Sequence, residues 1–268
     1  MPYADLPGDL RMYYEDDDFS DPWREAETVI LHHGQGKNSQ LLYGWVPPLA
    51  RDYRVIRVDA RGFGRSSVPP PGYDWSLDGF ATDLRNLMDQ LGIARAHLVG
   101  ETIGGTIAFQ FALRFPERLH TLTTCTSPFN FRGVQTYVDY YNLVRDEGVE
   151  AWVRKTAHVR LPADADPGHR EWYMGEMSRS DRHVVLETLA YLATVDLTPV
   201  LPQISVPSLV LVGAESGVYA ERARRLATLL PNCRLAAVPG VAGFVQHEAP
   251  AACVALWRDF VASVRQPA

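Results

Sequence analysis

The stretch VGETIGG, Val99-Gly100-Glu101-Thr102-Ile103-Gly104-Gly105, decides how the rest of this sequence reads. A short apolar run, AHLVGE over residues 96–101, leads into it, and a helical pattern closed by Pro116 leaves it, so the stretch is a strand-to-helix turn. Glycines two residues before and two after the centre have the spacing of a Gly-Xaa-Ser-Xaa-Gly elbow, a sharp turn that holds its central residue exposed in a strained conformation. Thr102 stands where that motif has serine. Threonine keeps the hydroxyl, but its β-branch disfavours positive φ and its methyl blocks one approach to the oxygen.

Outward from the turn, apolar runs alternate with helical periods. TVILHH (28–33), YRVIRVDA (53–60), AHLVGE (96–101), LHTLTTCT (119–126), SLVLVGA (208–214) and RLAAVPG (234–240) read as buried strands. Phe80, Leu84, Leu87, Met88 and Leu91 fall on one face of a helix, with Ser76 as its cap and Gly92 as its stop. Pro231 ends another helix and Pro250 opens the last at a first-turn position that needs no N–H. The fold class is therefore α/β, a mostly parallel sheet covered on both faces. From Pro128 to about Val195 the rhythm breaks: no strand-like run occurs, and the helical patterns are rich in aromatics such as Tyr137, Tyr140, Trp152 and Tyr173. The expected division is a core of residues 1–127 and 197–268 with a helical cap, 128–196, inserted over the carboxyl edge of the sheet, where open α/β folds bind ligands.

Composition excludes several classes. With 268 residues, 46% hydrophobic and 22% charged, the chain is an ordinary globular protein. A net charge of −6 argues against nucleic acid or an anionic membrane as partner. No apolar run approaches the roughly 20 residues of a membrane span, and the start MPYADLPGDL lacks the features of a signal peptide, so a cytoplasmic location is expected. Cys125, Cys233 and Cys253 are widely spaced and read as reduced core thiols. No His, Cys or acidic spacing matches a metal motif, so neither metal nor cofactor is expected. The partner is a small molecule; the oligomeric state stays open, a homodimer included.

Four ordered motifs carry a resemblance. His33-Gly34-Gln35-Gly36 follows a strand, Asp59-Ala60-Arg61-Gly62-Phe63-Gly64-Arg65-Ser66 follows the next, and the elbow comes about forty residues later. The run from Ile204 through Pro207 to Gly213 and the segment from Gly240 to Pro250 complete the set. In this order they resemble the α/β-hydrolase superfamily, in particular its capped branch of lactonases, ring-cleavage-product hydrolases, haloperoxidases and epoxide hydrolases. The resemblance implies an α/β-hydrolase fold with the cap after the sixth strand. It also implies a nucleophile, an acid and a base, which hydrolysis by an acyl-enzyme requires.

On this sequence all three positions are altered. The nucleophile position is Thr102, the acid position is Ser216, and the base position is Gly243, which has no side chain at all. Glu215 has a carboxylate but points elsewhere if its loop is regular. His247, four residues past the base position, is the candidate for a displaced base, to be weighed against a surface or supporting histidine. Glu101 is the other candidate for proton chemistry, since a carboxylate in an apolar turn has its pKa raised; its bland role is to brace the elbow. His33 and Gly34 orient the oxyanion loop, and the N–H groups of Gln35 and Ile103 converge on one point at the positive end of a helix. Three readings follow: an enzyme that stabilises an oxyanion without an acyl-enzyme, acting on a small carbonyl-, lactone- or ester-bearing metabolite; a non-catalytic ligand-binding protein; and an esterase or lactonase using Thr102 with a relocated base.

Overall fold

In chain order the elements are β1 (Tyr3–Leu6), β2 (Leu10–Asp17), β3 (Thr28–His32), α1 (Val46–Leu49), β4 (Arg54–Val58), α2 (Leu77–Gln90), β5 (Ala96–Glu101), α3 (Ile103–Arg114) and β6 (Leu119–Cys125). Then come α4 (Gln135–Glu147), α5 (Val149–Lys155), α6 (Pro167–Ser178), α7 (Arg182–Leu192), β7 (Ser208–Gly213), α8 (Val218–Leu229), β8 (Cys233–Val238), α9 (Val245–Glu248) and α10 (Pro250–Arg265). They are seen in a computed structural model that describes residues 2–265. The eight strands form one sheet in the order β1-β2-β4-β3-β5-β6-β7-β8. β3 to β8 run parallel, and β2 pairs antiparallel with both β1 and β4.

The period of two along each strand divides the core. Ile30, Leu98, Val210 and Val212 face α2, α3 and α8, while Val29, Leu31, Val99, Leu209 and Leu211 face the layer that holds Trp45, Trp257 and α10. Helices therefore cover both faces. α2 starts where its cap dictates, the Ser76 side chain accepting from the Gly79 N–H, and Pro250 is the first residue of α10.

The hairpin of β1 and β2 is not among the expected strands. β1 has only four residues, and β2 ends in Glu15, Asp16 and Asp17, so neither shows the continuous apolar run that marks the buried parallel strands. Between β6 and β7 the chain forms α4 to α7 and no strand among the described residues, only an isolated bridge between Asn130 and Asp196. Cys125 and Cys253 are buried free thiols, and Cys233 is half-buried. No described helix is long and apolar enough to cross a membrane.

Candidate functional site

Strand register sets the site. His32 at the end of β3 lies opposite Gly100 of β5, so the loop after β3 runs beside the turn after β5. Thr102 occupies that turn with φ 47 and ψ −115, a strained conformation for a β-branched residue. The approach is close enough to need glycine at two points. A Cβ on Gly104 would stand 2.4 Å from the carbonyl oxygens of His32 and His33, and one on Gly34 would stand 1.9 Å from Thr102 Oγ1. His33 braces the loop: its Nδ1 donates to the Gly34 carbonyl at 2.8 Å, and its Nε2 accepts the Ala60 N–H at 2.9 Å. Burial pushes its pKa down to about 4, so the ring is neutral.

The carboxylate of Glu101 turns inward under this loop and collects four partners. Its Oε1 accepts the Gly34 N–H at 3.1 Å. Its Oε2 accepts from Lys37 Nζ at 2.9 Å and Gln246 Nε2 at 2.8 Å, and lies 2.7 Å from His247 Nε2. His247 belongs to the single turn of α9, which points its ring into the protein against Tyr173. The side chains of Lys37, Glu101 and His247 are 2%, 1% and 3% exposed. Lys37 Nζ and His247 Nε2 are themselves 3.0 Å apart, which closes a triangle. If both nitrogens donate to Oε2, the third edge sets a donor against a donor unless one of them lacks a proton. The triangle is thus short of acceptors for a full set of protons.

The electrostatics follow from burial. Burial is the largest influence on Glu101 and raises its pKa, but His247 and Lys37 together outweigh it and hold the carboxyl well below its usual range. The raised pKa expected for Glu101 is therefore overturned: its surroundings are apolar only until Lys37 is counted. Burial also pushes Lys37 down to about 8 against the opposing pull of Glu101, and it lowers His247.

Ser216 and Gly243 lie together. Ser216 Oγ donates to the Gly243 carbonyl at 3.3 Å, and the Gly243 N–H donates to Glu248 Oε2 at 2.7 Å. Glu215 is exposed. Thr102 Oγ1 makes no hydrogen bond to another described residue. Gln35 and Ile103 line the cavity beside Thr102, and among the described residues neither backbone N–H has a protein acceptor. The Gln35 side chain is anchored away from that point, donating to Thr188 Oγ1 at 2.6 Å.

The cavity has a volume of about 200 Å³, below the roughly 300–1,000 Å³ of sites for drug-sized ligands. Lys37, Thr102, Tyr140, Trp152, Arg160 and Phe244 are among its lining residues, so α4 and α5 close over the elbow. Sequence reasoning misses Lys37, Gln246 and Arg160. Lys37 follows His33-Gly34-Gln35-Gly36 directly, and that position is the one signal that could have found it. Among the described residues no three His, Cys, Asp or Glu side chains gather as a metal site would require.

Comparison with known proteins agrees with this architecture. A family model described as the alpha/beta hydrolase fold matches residues 27–159. A Caulobacter vibrioides protein that carries the name carbamate hydrolase RutD is 31% identical over 223 residues, 79% of this chain and 81% of its own. Its namesake from Stutzerimonas stutzeri is 29% identical over 239 residues, 84% of this chain and 87% of its own. The crystal structure of the enol-lactonase from Burkholderia xenovorans LB400 superposes with a TM-score of 0.87 at 25% identity, covering 97% of this chain and 100% of that one. Sheet order, elbow and relatives agree, and the chain belongs to the α/β-hydrolase superfamily.

Proposed function

We propose that this chain is an enzyme that polarises the carbonyl of a small carbonyl-, lactone- or ester-bearing metabolite and moves a proton with Lys37, without forming an acyl-enzyme on Thr102. The observation that carries the reading is the buried triangle of Lys37, Glu101 and His247 beside two backbone N–H groups with no acceptor among the described residues. The substrate oxygen sits against the N–H groups of Gln35 and Ile103, at the positive end of α3, where developing negative charge is stabilised. The Lys37 amine takes the proton from an α-carbon or from an attacking water. The ammonium so formed stays beside the Glu101 carboxylate, which balances its charge. A base with a pKa near the working pH suits this role, and Lys37 at about 8 meets it.

Thr102, Ser216 and Gly243 are then a substituted triad, and residues 128–196 act as a cap that shapes the pocket and excludes water. The names of the relatives, a carbamate hydrolase and an enol-lactonase, support a substrate with a heteroatom on the reacting carbonyl carbon. The test is turnover of a panel of carbamates, enol-lactones and aryl esters, with fluorophosphonate labelling in parallel. Turnover that survives Thr102→Val and is lost in Lys37→Met supports the proposal. Ligand binding with no turnover in the panel would make the chain a binding protein, and labelling of Thr102 would restore an acyl-enzyme.

A further inference from the structure

Arg160 is a buried charge in this cavity that has no counter-ion among the described residues. It follows the short turn Ala157–Val159 after α5, is 4% exposed and lines the cavity. One of its nitrogens, Nη1, donates to the Thr156 carbonyl at 2.8 Å and to Thr156 Oγ1 at 2.5 Å. The guanidinium stacks over Trp152 with Cζ 4.9 Å from the ring centroid. Among the described residues no carboxylate lies within ion-pair distance; its ionisable neighbours are the phenols of Tyr173, Tyr140 and Tyr219, and Glu101. Burial keeps those three phenols neutral. Glu101 is already held by Lys37, His247, Gln246 and the Gly34 N–H.

The rest of the wall points the same way. Among the described residues no acidic one lines the cavity, while Arg222 on α8 adds a second guanidinium, half-buried, and Tyr137, Tyr140, Trp152 and Phe244 supply flat apolar surface. A buried guanidinium without an anion is costly, and a planar carboxylate satisfies its fork with two parallel hydrogen bonds. We infer that Arg160 is the anchor for a carboxylate on the ligand, so that the small molecule this cavity takes is an unsaturated or aromatic acid. The inference rests on the proposed function for placing the reacting carbonyl at Gln35 and Ile103, and it narrows the substrate to molecules with a carboxylate remote from that carbonyl.

The test is isothermal titration of the whole protein with phenylacetate and 3-phenylpropionate against their primary amides. The acids are expected to bind about tenfold or more tightly than the amides, the margin of one charge-assisted pair. Arg160→Gln is expected to abolish that preference by weakening the acids much more than the amides, whereas Arg222→Gln leaves most of it. If Arg160→Gln fails to fold, Arg160→Lys carries the test: it keeps the charge without the fork, and the preference falls severalfold. Equal affinity for acid and amide, no binding of the acids at millimolar concentration, or a preference that persists without Arg160 overturns the inference. Because binding is read without turnover, a carboxylate preference in a protein that turns over no carbonyl compound would sink the catalytic reading alone, and turnover without the preference would sink this one alone.

Discussion

The hydroxyl of Ser216 donates to the carbonyl of Gly243 at 3.3 Å. Ser216 and Gly243 therefore face each other, and neither has a carboxylate or an imidazole. The ionisable groups nearest the elbow lie instead beneath it, on Glu101, Lys37 and His247. His247 Nε2 reaches Glu101 and Lys37, and among the described residues His247 makes no hydrogen bond to Thr102.

Thr102→Val is expected to leave turnover of the substrate within about tenfold of the parent, because a hydroxyl with no acceptor for its proton remains protonated and a poor nucleophile. Valine keeps the β-branch and the shape of the turn, so the change removes the oxygen alone. The check is kcat/KM for both proteins on the same compound. A loss beyond about a thousandfold, matched by His247→Ala, would mean that a rewired dyad exists.

The rate is expected to rise with pH and level off above about 8, where Lys37 becomes a free amine. Glu101 is ionised and His247 neutral throughout that range, since the shifts on both run downward, so neither supplies the inflection. Lys37→Met should lower kcat by about 10²–10⁴, the range of a lost general base, and flatten the profile. A Lys37→Met protein that is folded and keeps the inflection would remove Lys37 from the chemistry.

The turn at Thr102 is legible in the amino-acid sequence alone. The glycine spacing around it places a sharp bend at the end of a strand, and the structure has Thr102 at φ 47 between β5 and α3. The spacing works because close backbone approach is a local demand that glycine alone meets. The six apolar runs match β3 to β8 within a few residues; β3 to β7 are buried on both faces, and the edge strand β8 keeps an apolar run although Arg234 and Ala237 are exposed. Lys37 and Arg160 are not legible as site residues, because a lone cation in sequence is by default a solvated one. The burial of Lys37 depends on a partner far along the chain: Glu101 lies 64 residues from it. The inward aim of His247 likewise depends on the one-turn helix α9, which no period announces.

Glu101→Gln is expected to destabilise the protein by about 3–5 kcal/mol at neutral pH, the cost of removing one partner from a buried ion pair. The pH dependence separates this from simple loss of packing. Lys37 has a folded pKa of about 8 against about 10.5 unfolded, so the unfolded state binds more protons between those values and stability rises with pH through that window. Without the Glu101 charge the folded pKa drops further and the window opens at lower pH. The deficit of Glu101→Gln should therefore shrink by on the order of 1 kcal/mol between pH 7 and pH 9. Urea midpoints at the two pH values check it, and a constant deficit would mean that Lys37 and Glu101 are not coupled.

Gly34→Ala tests the packing of the loop after β3 on the turn at Thr102. The new Cβ would stand 1.9 Å from Thr102 Oγ1, 3.2 Å from Thr102 Cβ and 3.2 Å from the Glu101 carbonyl oxygen, so either the loop or the strained turn must move. Overpacking of this kind costs about 1–3 kcal/mol and would also displace the Gly34 N–H from Glu101. Most of the clash is with a single atom. In a Thr102→Ala background that atom is gone and the remaining contacts are tight but tolerable, so the cost of Gly34→Ala should fall by about 0.5–3 kcal/mol, the coupling range of residues in contact. The double-mutant cycle is read from denaturant midpoints of the four proteins. Strict additivity would show that the loop after β3 does not rest on Thr102.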